Sequence, residues 1–327
     1  MSALATAKKS VPEPVKVLLR PAYIAARKSL GYAGPAPVAA PEPAPYPWAH
    51  IKYEPDTVAD EVYHRQYSVD AIENRRFYNI GSGTFSHKYW TNIDLASDWY
   101  AGQQQGTTFI NYDLFSYGPI PVEDGKAEAV YTSHTVEHVD DRACANMFKE
   151  AYRMLKPGGY FRMTTPNIEL DLAAWRRGDR DYFYHIDLYS HPDIIKGNRL
   201  NPAMPFDKAS LEQITLFVFA SHVSQISPDN GKTKVTDEEF RNAFATMGDE
   251  AALDHFSKLC TIDDQRATPG HHMNWWTFKK AERMLRAAGF KTIYQSGFGQ
   301  SHCAAMRDIV LFDKQDPKMS LYVEAVK

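Results

Sequence analysis

The sequence predicts an α/β fold in which strands and helices alternate, and two observations carry that expectation. From Arg76 onward, short β-rich runs end in glycine or polar residues and are separated by stretches of helical period. The first run, Phe77-Tyr-Asn-Ile-Gly81-Ser-Gly83-Thr-Phe85, leads straight into a glycine turn, and the second and third runs end in Asp94 and Asp113. Open α/β sheets bind ligands outside the carboxyl ends of their strands, where these residues stand. Composition agrees with an ordinary globular protein: 327 residues, 44% hydrophobic and 24% charged, with a formal net charge of −3. That charge gives no reason to expect a nucleic-acid partner. No run reaches the roughly 18 apolar residues of a membrane-spanning helix, and the N-terminus lacks the apolar core of a secretory signal. Cys144, Cys260 and Cys303 are widely spaced and odd in number, which argues against a disulfide framework and a thiolate zinc site. A reducing, cytoplasmic location is expected.

Taken in order, residues 1–48 stand apart as an extension and linker. Six prolines between Pro35 and Pro47 alternate with alanines, a composition that favours an extended, solvated chain. Before them, Val15, Leu18, Leu19 and Ala22 recur at helical spacing while Lys16, Arg20, Arg27 and Lys28 face elsewhere. Residues 11–30 therefore read as a disordered tail or as an amphipathic helix in peripheral contact with an anionic membrane, which would place the protein at its inner face. Pro21 favours the tail.

Residues 49–327 form the main domain. Strands are expected at Phe77–Ile80, Thr91–Asp94, Thr108–Tyr112, Ala129–Thr132 and Tyr160–Thr164. Between Asp141 and Leu155, apolar Ala143, Met147, Ala151, Met154 and Leu155 form one stripe, and Lys156-Pro-Gly-Gly159 is a stop signal. Residues 170–270 are a helix-leaning insertion. A second helix starts at a Thr277 cap, runs through Phe278, Ala281, Met284, Leu285 and Ala288, and stops at Gly289. Strands near Lys291–Gln295 and Leu321–Val326 close the chain.

The glycine turn asks for a tight backbone that a ligand can approach. It is not the dinucleotide fingerprint: Ser86 stands where a third glycine is needed, and only six residues separate Gly83 from Trp90, too few for a crossover helix. Asp94 follows Gly81 by thirteen residues instead of roughly twenty. A nucleoside cofactor without a pyrophosphate fits better, with Asp94 accepting from a ribose diol, Asp113 meeting an adenine amino group and Leu114 facing the ring. Each acid taken alone also fits a turn or a helix cap.

These residues resemble the class I S-adenosylmethionine-dependent methyltransferases, most closely their type 11 branch of polysaccharide and cell-envelope enzymes. The resemblance lies in Asn79-Ile-Gly81-Ser-Gly83, Asn92-Ile-Asp94, Ala129-Val-Tyr-Thr-Ser133-His134-Thr-Val-Glu137-His138, Glu150-Ala-Tyr-Arg-Met-Leu-Lys156-Pro-Gly-Gly159 and Ser320-Leu-Tyr-Val-Glu324-Ala. It spans about residues 76–170 and 271–327, and implies a Rossmann-like seven-stranded sheet with a helical substrate-cover insertion after the fifth strand. It implies S-adenosylmethionine as cofactor, held by Asn79, Gly81, Ser82, Gly83, Asp94, Leu95, Asp113, Leu114, Ser133 and His134. Asn79 replaces an acid common before the glycine turn, and Phe85 replaces a third glycine.

Methyl transfer to a hydroxyl needs alignment and removal of a proton, a task suited to histidine. His138 is the first candidate because relatives place it at the rim of the cofactor pocket, with Glu137 beside it; the alternative is that both only cap the next helix. His271, His272 and His185 are further base candidates. His134 and His138 at i, i+4 have no third ligand nearby, so no metal is assigned. The insertion's Trp175, Arg176, Arg177, Tyr182, Tyr184, His185, Tyr189 and His191 suit a polar glycan, or else form an ordinary aromatic core. The leading expectation is O-methylation of a sugar or glycan precursor in polysaccharide synthesis. The alternatives are methylation of a lipid quinone or other small hydroxylated metabolite, and a catalytically idle binding module. Oligomeric state is not expressed in the sequence.

Overall fold

A computed structural model of the chain describes residues 55–96, 109–184 and 202–327. The basic segment, the proline-rich run, His185, Tyr189 and His191 lie outside the described residues. Those described form one unit, Pro55–Lys327.

Seven strands make one sheet: β1 (Phe77–Ile80), β2 (Trp90–Asp94), β3 (Phe109–Asn111), β4 (Ala127–Ser133), β5 (Leu155–Pro166), β6 (Thr292–Gln295) and β7 (Ser320–Val326). Their order is β3-β2-β1-β4-β5-β7-β6. The pairs from β3 to β5 are parallel, and β7 runs antiparallel to both β5 and β6. This is the Rossmann-like sheet the resemblance implied. The chain moves outward in opposite directions from β1 and β4, so a crevice opens between their carboxyl ends, where such sheets hold ligands.

The central strands are buried on both faces, as a covered parallel sheet requires. Alternation sends Tyr78, Ile80 and Val130 to one face and Phe77, Ala129 and Tyr131 to the other. The nine α-helices among the described residues are α1 (Pro55–Gln66), α2 (Val69–Glu73), α3 (Asp141–Met154), α4 (Ile168–Arg177), α5 (Leu211–Phe219), α6 (Asp237–Met247), α7 (Asp249–Ser257), α8 (Ile262–Ala267) and α9 (Phe278–Ala288). Helices α3 and α9 cover the first face through Met147, Phe148, Ala151, Ala281 and Leu285. Tyr63 of α1 and Ile72 of α2 join Trp90, Met306 and Phe312 on the second. No helix among the described residues is long and apolar enough to cross a membrane.

Both expected helices form. Asp140 caps α3 by accepting from Ala143 N–H at 2.7 Å, and Thr277 caps α9 by accepting from Lys280 N–H at 3.1 Å. Gly289 closes α9 at φ 117°, a left-handed conformation suited to glycine. The stop after α3 differs from expectation: Lys156-Pro-Gly-Gly159 is the start of β5, not a loop before it. Leu155 pairs with Ala127, and a register shift before Ala129 absorbs the irregular stretch.

The insertion packs Leu172, Leu216, Phe219, Phe240 and Phe256 into a core with Trp275 from the segment before α9. Trp175 packs on Phe240 and Phe244 there, Arg176 pairs with Asp249, and Arg177 pairs with Asp179. Here the core reading holds for Trp175, and none of the five described aromatic and cationic candidates, Trp175, Arg176, Arg177, Tyr182 or Tyr184, lines the large cavity described next.

Candidate active site

A cavity of about 800 Å³ opens at the crevice between β1 and β4, a size that accepts a nucleoside-sized ligand. All ten expected cofactor residues line it: Asn79, Gly81, Ser82, Gly83, Asp94, Leu95, Asp113, Leu114, Ser133 and His134.

The glycine loop is fixed by two devices. Gly81 has φ +66°, and a Cβ there would lie 2.3 Å from Thr135 Oγ1, so only glycine lets the loop pass under the β4 exit. Asp94 then gathers the turn. Its Oδ2 accepts from Gly83 N–H at 2.8 Å and from Ser82 Oγ at 3.3 Å, and its Oδ1 accepts from Leu95 N–H at 2.8 Å. A carboxylate has about four lone-pair sites, so acceptor capacity remains for a diol. Phe85 is buried against Trp90 and Phe312, which explains a large residue where relatives carry glycine.

Asn79 provides a test of fit. Its Oδ1 is buried on the cavity wall without a hydrogen-bond partner among the described residues, and such an acceptor is expensive to leave unpaired. An ammonium donor would satisfy it, so Asn79 can meet an amino group as the acid of relatives would. Asp113 is more committed: Oδ1 caps a short 3₁₀ turn through Phe115 N–H at 2.9 Å, and Oδ2 pairs with Arg266 at 2.8 Å. The cap reading of Asp113 and its place on the cavity wall are therefore both true.

The β4 exit holds the titratable groups. His134 has φ +48°; its Nε2 lies 2.9 Å from Ser320 Oγ and its Nδ1 lies 3.1 Å from Glu137 Oε1. Ser133 Oγ bonds Thr164 Oγ1 at 2.7 Å. Glu137 is 1% exposed and off the cavity wall, and its Oε2 accepts from Thr165 Oγ1 at 3.1 Å. Burial alone would raise this acid, but the imidazoles of His134, His138 and His272 outweigh it and hold the carboxyl at about 2. The helix cap is Asp140, so neither Glu137 nor His138 performs that role.

Of the catalytic candidates, His138 alone lines the cavity, and His185 lies outside the described residues. His138 Nδ1 donates to the His271 carbonyl at 3.0 Å. His271 and His272 do not swing into the pocket as expected. Met273 N–H bonds Glu137 O, and His272 N–H bonds Ser221 Oγ, which ties this segment behind the exit loop. His271 is buried beside His222, Nδ1 to Nδ1 at 3.3 Å, and burial, then the charge of His222, pushes it down to about 3. The His272 ring stands edge-on to His138 with centroids 4.7 Å apart, its Nδ1 donates to Val218 O at 2.5 Å, and burial, then His138, lowers it to about 4.

The cavity has walls the sequence did not announce: Gln265, Arg266, Pro269 and Gly270 from the end of the insertion, and Leu311, Asp313, Lys314 and Gln315 before β7. Asp313 is positioned from within. It bonds the buried Arg162 guanidinium at 2.5 and 3.1 Å and Gly299 N–H at 3.0 Å, while Arg162 also reaches Glu324 at 3.1 Å. No local sign marks Asp313: its partner Arg162 faces Glu324 across the β5–β7 pairing, which only the strand register reveals.

The sheet order, the antiparallel β7 and the glycine loop above Asp94 define the fold of a class I S-adenosylmethionine-dependent methyltransferase. Residues 84–163, from that loop into β5, match the type 11 family described as "Methyltransferase domain". S-adenosylmethionine is its cofactor. The chain is also similar to solved structures of S-adenosylmethionine-dependent methyltransferases. One from Archaeoglobus fulgidus shares 12% identity, with 83% of this chain and 94% of that chain covered and a TM-score of 0.37. One from Mesorhizobium loti shares 16%, covering 83% and 99% with a TM-score of 0.35. A possible histamine N-methyltransferase from Thermotoga maritima shares 14%, covering 77% and 82% with a TM-score of 0.34. No curated protein matches the sequence.

Proposed function

We propose that the protein O-methylates a hydroxylated acceptor of the sugar or glycan class. The observation that carries the reading is His138, an imidazole on the wall of the same cavity as the glycine loop and Asp94. Donation from Nδ1 to the His271 carbonyl fixes the tautomer and leaves the Nε2 lone pair for an acceptor's hydroxyl proton. S-adenosylmethionine supplies an electrophilic methyl when bound. Asn79 would hold its amino group, Asp94 its ribose, and Leu95 and Leu114 its ring. Arg266, Lys314 and Gln315 add polar groups to the wall, in keeping with a polar acceptor. The sugar class and a role in polysaccharide synthesis rest on the type 11 resemblance. A peripheral membrane contact through residues 11–30 at the inner face belongs to the same proposal, and is tested by sedimentation with anionic vesicles.

Radiolabelled methyl transfer to nucleotide sugars, glycans and lipid quinones tests the acceptor; label only in quinones would replace the sugar reading. His138→Ala is expected to lower turnover by roughly two to four orders of magnitude while S-adenosylhomocysteine affinity changes little. Near-normal turnover would remove His138 from the reaction.

A further inference from the structure

We propose that Glu137, His138 and His272 form a binding site for one first-row divalent cation, of the zinc or cobalt kind, beside the cofactor cavity. One ligand atom from each of the three residues lies within 4.8 Å of the others, although 134 residues of sequence separate His138 from His272. The i, i+4 pair His134 and His138 was without a third ligand in the sequence; the fold replaces His134 with Glu137 and brings His272 across from the segment before α9.

The hydrogen bonds around the three side chains point to a cation. His138 Nδ1 and His272 Nδ1 each face a backbone carbonyl, of His271 and Val218. A carbonyl only accepts, so both rings are held as donors at Nδ1 and keep a lone pair at Nε2. Glu137 is held through Oε2 by Thr165 Oγ1, while Oε1, 3.1 Å from the His134 ring nitrogen, is buried without a hydrogen-bond partner among the described residues and keeps its lone pairs. Each of the three residues thus keeps an acceptor and is oriented by an outer partner, which is how metal-ligating histidines and carboxylates are supported. Two imidazoles and a carboxylate suit zinc and its neighbours, whereas magnesium and calcium prefer oxygen alone. His138 opens the site to the cavity. The role of the cation rests on the O-methylation reading: it would bind the acceptor hydroxyl and make it more acidic, the proton leaving to water. His138 would then act as a ligand.

The test uses the full chain, stripped with chelator and titrated with Co²⁺ while visible absorption and calorimetry are followed. One Co²⁺ per chain, displaced by Zn²⁺ and not by Mg²⁺, is expected. His272→Ala should weaken binding by more than about tenfold, and Thr165→Val, which spares the ligands and the packing, by about 10- to 100-fold. Exposed His255→Ala should leave it unchanged. Failure of the wild-type chain to bind Co²⁺, or equal binding by wild type, His272→Ala and Thr165→Val, would overturn the site; if His272→Ala does not fold, Thr165→Val decides. S-adenosylhomocysteine binding and methyl transfer by the stripped protein separate the two readings. Full transfer to a hydroxyl under chelation overturns the cation and leaves O-methylation standing. Co²⁺ binding without transfer to any hydroxyl overturns O-methylation and leaves the metal site.

Discussion

Asp94 holds the glycine loop through Gly83 N–H and Ser82 Oγ on one oxygen and Leu95 N–H on the other, and it lines the cavity. Asp94→Asn keeps one acceptor and loses the charge that strengthens a bond to a diol. Calorimetry should show S-adenosylhomocysteine affinity lower by roughly 10- to 100-fold, the scale of a hydrogen bond to a charged group. Unchanged affinity would detach Asp94 from the cofactor. Gly81 was recognisable as a turn glycine, but the reason it admits no side chain was not, because Thr135 comes 54 residues later. Gly81→Ala combines a left-handed alanine with a collision, together about 2–4 kcal/mol. A lower melting temperature and loss of S-adenosylhomocysteine binding are expected; a variant that binds normally would show that the loop yields.

Helices α3 and α9 were legible because a polar cap, an apolar stripe and a glycine or proline stop are all local signals. Thr277→Ala removes one bond to the first turn of α9 and should cost about 1 kcal/mol. That corresponds to a fall of roughly 2–4 °C in melting temperature, read by calorimetry. No fall would mean that tertiary packing, through Ala281 and Leu285, holds the turn without its cap. The start of β5 was not legible. Lys156-Pro-Gly-Gly159 ends a helix on any local rule, and only Ala127, on the neighbouring strand, makes Leu155 a strand residue. The insertion was expected from the resemblance as a substrate cover, but that its stretch from Gln265 to Gly270 lines the cavity was not legible.

The whole molecule carries a pH-dependent load at Asp171, 2% exposed in α4 where the insertion begins. Burial raises its carboxyl to about 7, against a partial opposing effect of the bond from Tyr182. Since the folded protein holds this proton and the unfolded chain, titrating near 4, releases it, stability is fullest below pH 4. It falls as pH rises to about 7 and then levels off. The drop attributable to this group is on the order of 4 kcal/mol. Denaturation series from pH 4 to 8 should show Asp171→Asn with a flatter profile than wild type and a relative gain at pH 8. Parallel profiles would mean that the carboxyl is not the source.

The sequence by itself determined the strand and helix alternation, the glycine turn and the acids at strand ends that line the cavity. Each is written in residues close along the chain, where backbone propensity and side-chain period act. The tertiary structure alone decided which histidine meets the cavity. His271 and His272 are neighbours in sequence, yet one faces His222 in the insertion core and the other stands against His138. It also decided the walls at 265–270 and 311–315, which reach the cavity through the insertion's packing and the buried Arg162, Asp313 and Glu324 network. Contacts across more than a hundred residues depend on how the sheet orders its strands, and no local pattern encodes that order.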